Sequence, residues 1–183
     1  DPLEGFFQNC NSSPYLATGS RVDASKPIPD WSGIEKHQTN RALRALETFG
    51  SDPSINREEF FKYKYDVEYS RESILAGVRK RYISEMTEKG IPDDLKTAIE
   101  LIKTWDLRAD SSNTSAALAI LTLPNAFKIE ELKYDTDSVT IKLRENISYL
   151  EKGFGKIDVP LGKVMRLIRG KIDLPLSGGP GTL

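Results

Sequence analysis

The run Asn9-Cys10-Asn11-Ser12-Ser13-Pro14 offers this chain its clearest opportunity for chemistry. Amide side chains on a tight turn can present N–H donors to a developing oxyanion, a large term in acyl-transfer catalysis. Asparagine and serine also bond readily to nearby backbone, so the same residues can simply tie the turn together. Spacing alone leaves both readings open. Other motifs are missing. Gly178-Gly179-Pro180-Gly181 carries proline where a phosphate-cradling loop needs backbone amides. There is no C-x-x-C, no H-E-x-x-H and no EF-hand spacing. His37 is the one histidine, which makes a His-rich metal site or a Ser-His-Asp triad hard to build; its plainest role is a solvated helix residue. Cys10 is the one cysteine, so no internal disulfide forms. Asp93-Asp94 and Glu130-Glu131 are adjacent, diverge on a helix and read as solvated surface. The N-x-S/T triplets at Asn11, Asn113 and Asn146 carry no weight.

The elements that would position such a turn follow from periodicity. Gly5 to Cys10 reads as a short strand, and 15–33 is irregular, punctuated by Pro27, Pro29 and Gly33. A helix is predicted over 34–49, with Ile34, Ala42, Ala45, Leu46 and Phe49 on one face and Gly50 closing it. Asn56 followed by Glu59 is a capping box. After Ser70, the i+4 series Ile74, Val78, Tyr82, Met86 predicts a longer helix ending at Gly90, and Pro92 opens the next, through Leu95, Ala98, Leu101, Ile102 and Trp105. The run AALAILTL, from Asn113 or Ser115 to Pro124, suits a buried helix. Residues 138–152 fit a helix through Leu143, Ile147 and Leu150, while Val139, Ile141 and Leu143 also alternate as in a strand. The tail 159–169 reads as extended. The expected fold class is mainly α with short β segments at both ends, organised as 1–33, a helical domain 34–155, and a returning segment 156–183.

At 183 residues the chain can bury a proper core. Lys plus Arg number 26 against 27 for Asp plus Glu, so the basic excess that non-specific nucleic-acid binding needs is absent. No apolar run approaches the roughly 18 residues of a membrane span, and the start DPLEGFF is not a signal peptide. The abrupt start and the turn-rich finish at 177–181 read as cut ends.

Gly5-Phe6-Phe7-Gln8-Asn9-Cys10-Asn11-Ser12-Ser13-Pro14 is similar to the G-[aromatic]-x-x-N-x-N-[NS]-x-P signature of the penicillin acylase and acyl-homoserine-lactone acylase family. Asn40-Arg41-Ala42-Leu43-Arg44, the stretch from Leu101 through Trp105-Asp106 to Ser115-Ala116-Ala117, and Pro160-Leu161-Gly162-Lys163-Val164 through Leu174 to Pro180 resemble further family segments in the same order. The resemblance implies an internal fragment of the β subunit of an N-terminal-nucleophile hydrolase, its helical part, from a periplasmic or secreted enzyme. A serine outside this chain, with its own α-amino group as base, would cleave a linear acyl amide. Asn11 would be the oxyanion-hole donor and Arg41 the orienting arginine, with Arg44 one turn further along the same face. No cofactor is required for that chemistry; a structural calcium is possible in the parent enzyme, with Asp23 as a candidate ligand. The implied partners are the rest of the precursor (the α subunit and the N-terminal part of the β subunit) and a small acyl-amide substrate. The fragment by itself would be inactive, since the serine is absent. The alternative is a non-catalytic helical interaction module that keeps the family sequence.

Overall fold

A computed structural model describes residues 6–11, 17, 29–34, 38–124 and 134–182. Asp23, His37, the Ser12-Ser13-Pro14 part of the turn and Glu130-Glu131 lie outside the described residues. The chain divides into two compact units, one formed by 1–66 with 181–183 and the other by 67–180.

Within the first unit, α1 spans Asn40–Glu47 and α2 spans Arg57–Lys64. α1 starts later than its apolar pattern suggests. Thr39 is its N-cap, accepting from the amide of Ala42, and this cap decides the boundary rather than Ile34. Ala42 and Ala45 are the residues that α1 buries. The capping box at α2 is present in both directions: Asn56 accepts from the Glu59 amide and Glu59 accepts from the Asn56 amide, each at 2.9 Å. The 6–10 segment is not a strand. No strand is assigned to it among the described residues; the Gln8 amide donates to the Ala17 carbonyl at 2.7 Å and the Cys10 amide to the Gln8 side chain at 2.8 Å.

Among its described residues the second unit holds α3 (Ile74–Lys89), α4 (Lys96–Thr104), α5 (Ala116–Thr122), α6 (Thr136–Phe154), the single turn α7 (Leu161–Val164), then a hairpin of β1 (Arg166–Arg169) and β2 (Ile172–Pro175). The sequence dictates most of this. Ser73 caps α3 through the Ala76 amide and Gly90, at φ +83°, ends it. Asp135 caps α6 and the left-handed Gly155 closes it. The strand-like alternation at 139–143 loses to the helix because Val139, Leu143 and Leu150 all become buried on one side. Pro92 precedes a short 3-10 turn, Asp93–Leu95, that leads into α4.

α5 is buried almost throughout, at Ala116, Ala117, Leu118, Ala119 and Thr122, and packs between α4 and α6. Around it Tyr69, Leu75, Tyr82, Leu95, Ile99, Ile102, Trp105, Leu143, Leu150, Val159 and Leu161 complete one core. Each fully buried aliphatic side chain contributes about 1.5–3 kcal/mol through removal from water.

The tail departs from the extended segment expected over 159–169. It turns through α7, then forms an antiparallel pair in which Leu167 faces Leu174 and Arg169 faces Ile172. The turn is set by a contact distant in sequence. The amides of Leu161 and Gly162 donate to the carbonyls of Asn113 and Ser111, at 3.0 and 2.8 Å, which pulls the chain against the loop before α5. Among the described residues the molecule is thus mainly helical with one short two-stranded sheet near the C-terminus, and the described part of the N-terminal end carries no strand.

Candidate functional site

The expected turn site lies in the first unit. Asn11 is exposed and sits at φ +59°, a left-handed conformation that asparagine tolerates better than most residues. Arg41, on the first turn of α1, donates from its guanidinium to the Asn11 side-chain oxygen. Thr39 donates to the Cys10 carbonyl at 3.1 Å, so the start of α1 and the turn are tied at two points. Arg44 does not share this role. It donates to both oxygens of Asp66, at 2.7 and 3.2 Å, and pairs with Glu47 at 2.7 Å. The Cys10 thiol is pushed up by partial burial, opposed by the charge of Arg41. The structure therefore brings Asn11 and Arg41 together; an oxyanion role for them rested on the family resemblance.

A second site, in the other unit, was not visible in the sequence. An open cleft of about 550 Å³ is lined by Arg71 and Glu72 ahead of α3, by Ala76, Arg79, Lys80 and Ile83 on α3, by Lys103 at the end of α4, and by Trp105, Asp106 and Leu107 after it. The α3 residues fall at i, i+3, i+4 and i+7, one continuous face of the helix. It lies beside the buried stripe of Leu75, Ala76, Val78, Tyr82 and Met86 and shares Ala76 with it. Four cations stand here against two carboxylates, and with Lys103 also paired to Glu100 at 3.3 Å this leaves a surplus of one positive charge. The chain's near-neutral total conceals this surplus. The one sequence signal that could have found it is the Arg79-Lys80 pair lying beside the core stripe.

The wall of the cleft is rigidly built. The carbonyl of Trp105 accepts from the Arg79 guanidinium, which holds this half-buried side chain in place. Burial, and next the neighbouring charge of Arg71, lower the Arg79 pKa, with Asp106 acting in the opposite direction. Trp105 itself is buried, meets Tyr69 edge-on at 5.7 Å, and donates from Nε1 to the Arg108 carbonyl at 2.8 Å.

Leu107 has φ +68°, a conformation that costs a bulky L-residue about 1–3 kcal/mol. Surrounding bonds impose it. The Tyr69 amide donates to the Leu107 carbonyl at 2.9 Å, and the Ala109 amide to that of Val67 at 2.9 Å. Asp106 accepts from the Arg108 amide at 3.0 Å and from the Asn113 side chain at 2.9 Å. Asn113 further donates to the Arg108 carbonyl at 3.0 Å and accepts from the amides of Ser115 and Ala116, at 2.9 and 3.1 Å. One asparagine both accepts from the amides that lead into α5 and fastens the loop that floors the cleft.

This arrangement can hold an anion against an apolar surface. Among the described residues, no group of three His, Cys, Asp or Glu side chains is placed to hold a metal ion. No described helix is long and apolar enough to cross a membrane.

No protein-family model matches the chain. Among curated proteins, a geranylgeranylglyceryl phosphate synthase of Zunongwangia profunda is 29% identical over 110 residues, covering 60% of this chain and 47% of that protein. The chain thus spans about half the length of this relative. That likeness overturns the acylase reading.

The relative's name is that of a synthase of a phosphate lipid, not of a hydrolase of linear amides. The penicillin acylase assignment, the amide-cleaving activity and the N-terminal-nucleophile core are corrected accordingly, and the precursor subunits and acyl-amide substrate implied by them lose their support. The alternative of a non-catalytic module retaining the acylase sequence falls with the same family. There is a physical reason why the short matches misled. Several matched residues are ones that packing alone demands: Trp105, Ala116 and Ala117 are core, and Gly162 sits where a side chain would collide with Ser111 and Pro175. Residues chosen for packing recur in unrelated chains and carry no chemistry with them.

Proposed function

We propose that the 67–180 unit binds an organic phosphate in the cleft of Arg71, Arg79, Lys80 and Lys103, as part of a protein that handles a prenyl-glyceryl phosphate or a related phosphate ester. The observation that carries this reading is the convergence of four cations around an apolar wall of Ala76, Ile83 and Leu107. Guanidinium groups match phosphate oxygens in pairs, and lysine ammonium groups add compact charge. An apolar stem leaving the phosphate would lie along Ile83 and Leu107. The name of the curated relative supports the phosphate and the lipid character of the ligand.

Calorimetric or NMR titration of the chain with glycerol phosphate and with inorganic phosphate tests the reading. Saturable binding is expected, weakened about ten- to hundredfold by Arg79→Gln, since one charge-assisted hydrogen bond is worth roughly 1.5–3 kcal/mol. Binding that is absent, or unchanged in both Arg71→Gln and Arg79→Gln, would remove the proposal.

A further inference from the structure

The β1–β2 hairpin presents an apolar face that the rest of its unit leaves open. Residues directly opposite in an antiparallel pair share a face, and side chains alternate along each strand. Leu167, Leu174, Ile172 and Arg169 therefore lie on one side. The three aliphatic side chains of that face are 46%, 53% and 51% exposed, while Ile168, 71% exposed, lies on the opposite face across from Asp173. A two-stranded hairpin is marginal in water unless something covers an apolar face.

The character of the cover follows from charge and from the strand edges. Arg169 and Lys171 flank Gly170 at the tip, whose φ of +61° makes the tight turn. The hairpin's one carboxylate, Asp173, is on the opposite side and is taken by Arg166, 2.5 Å away. The tip thus combines two cations with aliphatic neighbours and no acid. The edges discourage another strand: each strand has four residues, β2 ends in Pro175 and a lysine precedes it. A surface that is anionic outside and apolar just beneath fits these features better than a further strand does.

We infer that the hairpin tip docks on an anionic lipid surface, with Arg169 and Lys171 against the headgroups and Ile172, Leu174 and Leu167 facing the acyl boundary. This inference rests on residues outside the cleft and stands whether or not the cleft binds phosphate.

Co-sedimentation of the full chain with phosphatidylcholine vesicles, with and without phosphatidylglycerol, tests it. The bound fraction is expected to rise with phosphatidylglycerol and to fall as salt is raised. Each tip cation lost, in Arg169→Gln or Lys171→Gln, is expected to lower the partition coefficient about fivefold. Both substitutions are at an exposed turn, and circular dichroism checks that they keep the fold. Ile172→Ser is expected to weaken binding at every salt concentration. Equal binding to both vesicle types, or none to either, overturns the inference. So does a concentration-dependent dimer that Ile172→Ser abolishes, because a second copy would then be the cover.

Discussion

The hydroxyl of Tyr69 donates to the carbonyl of Pro180, 2.9 Å away and 111 positions later in the chain. The phenol is fully buried, and burial pushes its pKa well above the ordinary tyrosine range, so it stays protonated as a donor. Gly179 lies directly over it: a Cβ there would come within 2.5 Å of the hydroxyl oxygen. Gly179→Ala is therefore expected to displace the 178–180 segment and destabilise the unit by about 1–3 kcal/mol, the usual penalty of overpacking. Tyr69→Phe is expected to cost only about 1 kcal/mol. Urea denaturation of the two variants checks the ranking.

Acid should loosen the junction of α3 and α6. Glu85 accepts from the Thr136 hydroxyl, from Arg81 at 2.7 Å and from Tyr134 at 3.1 Å, while Arg81 stacks 4.4 Å over the Tyr134 ring. The Thr136 bond first, and then Arg81, bring the Glu85 pKa down to about 2. A depressed carboxylate contributes stability that is complete above its unfolded pKa of about 4.3 and is lost as pH falls through its folded value. Thermal melts between pH 6 and pH 2 should show this loss, and Glu85→Gln should flatten the profile over the same window. An unaltered slope in the variant would refute the assignment.

Gly162 marks a close approach of backbones. A Cβ at this position would stand 2.7 Å from Pro175 Cβ and 2.8 Å from Ser111 Cβ. Its own amide donates to Ser111, so the segment cannot back away without breaking that bond. Gly162→Ala is expected to lower stability by about 1–3 kcal/mol. Faster hydrogen exchange in 166–175 should accompany the loss, since α7 positions the hairpin. A variant as stable as the parent would show that the contact is soft.

Asn113 couples stability to ligand binding. Asn113→Ala removes two acceptor bonds at the start of α5 and two donor bonds to the loop that carries Asp106 and Leu107. A typical hydrogen bond of this kind is worth about 0.5–1.5 kcal/mol. The release of the loop should also weaken phosphate binding, although no charge in the cleft is removed. Parallel measurement of melting and of phosphate titration separates the two effects. Full retention of affinity would show that the loop is held without Asn113.

Local chemistry made much of the helical frame legible. The capping box of Asn56 and Glu59, the cap at Ser73, the stop at Gly90 and the apolar series through Tyr82 and Met86 depend on neighbours within a few positions. Such signals survive in a linear reading because the bonds they describe close within one or two helical turns. The same locality explains the partial failures. Ile34 fits the period of α1 but lies ahead of the Thr39 cap, and the ambiguity at 139–143 disappears only when one side of α6 meets the core.

Tertiary structure decided the rest. The tail turns at α7 because Gly162 meets Ser111, and β1 finds β2 only after that turn. Arg71 lies just ahead of α3, Arg79 on α3 and Lys103 at the end of α4, and these charges meet only when the two helices pack. Asn11 and Arg41 share a bond that their types permit and their spacing does not specify. Composition and periodicity determine which elements form, because those depend on caps and on the alternation of apolar residues. What the elements place side by side depends on contacts between distant segments, and there lies the chemistry of the cleft.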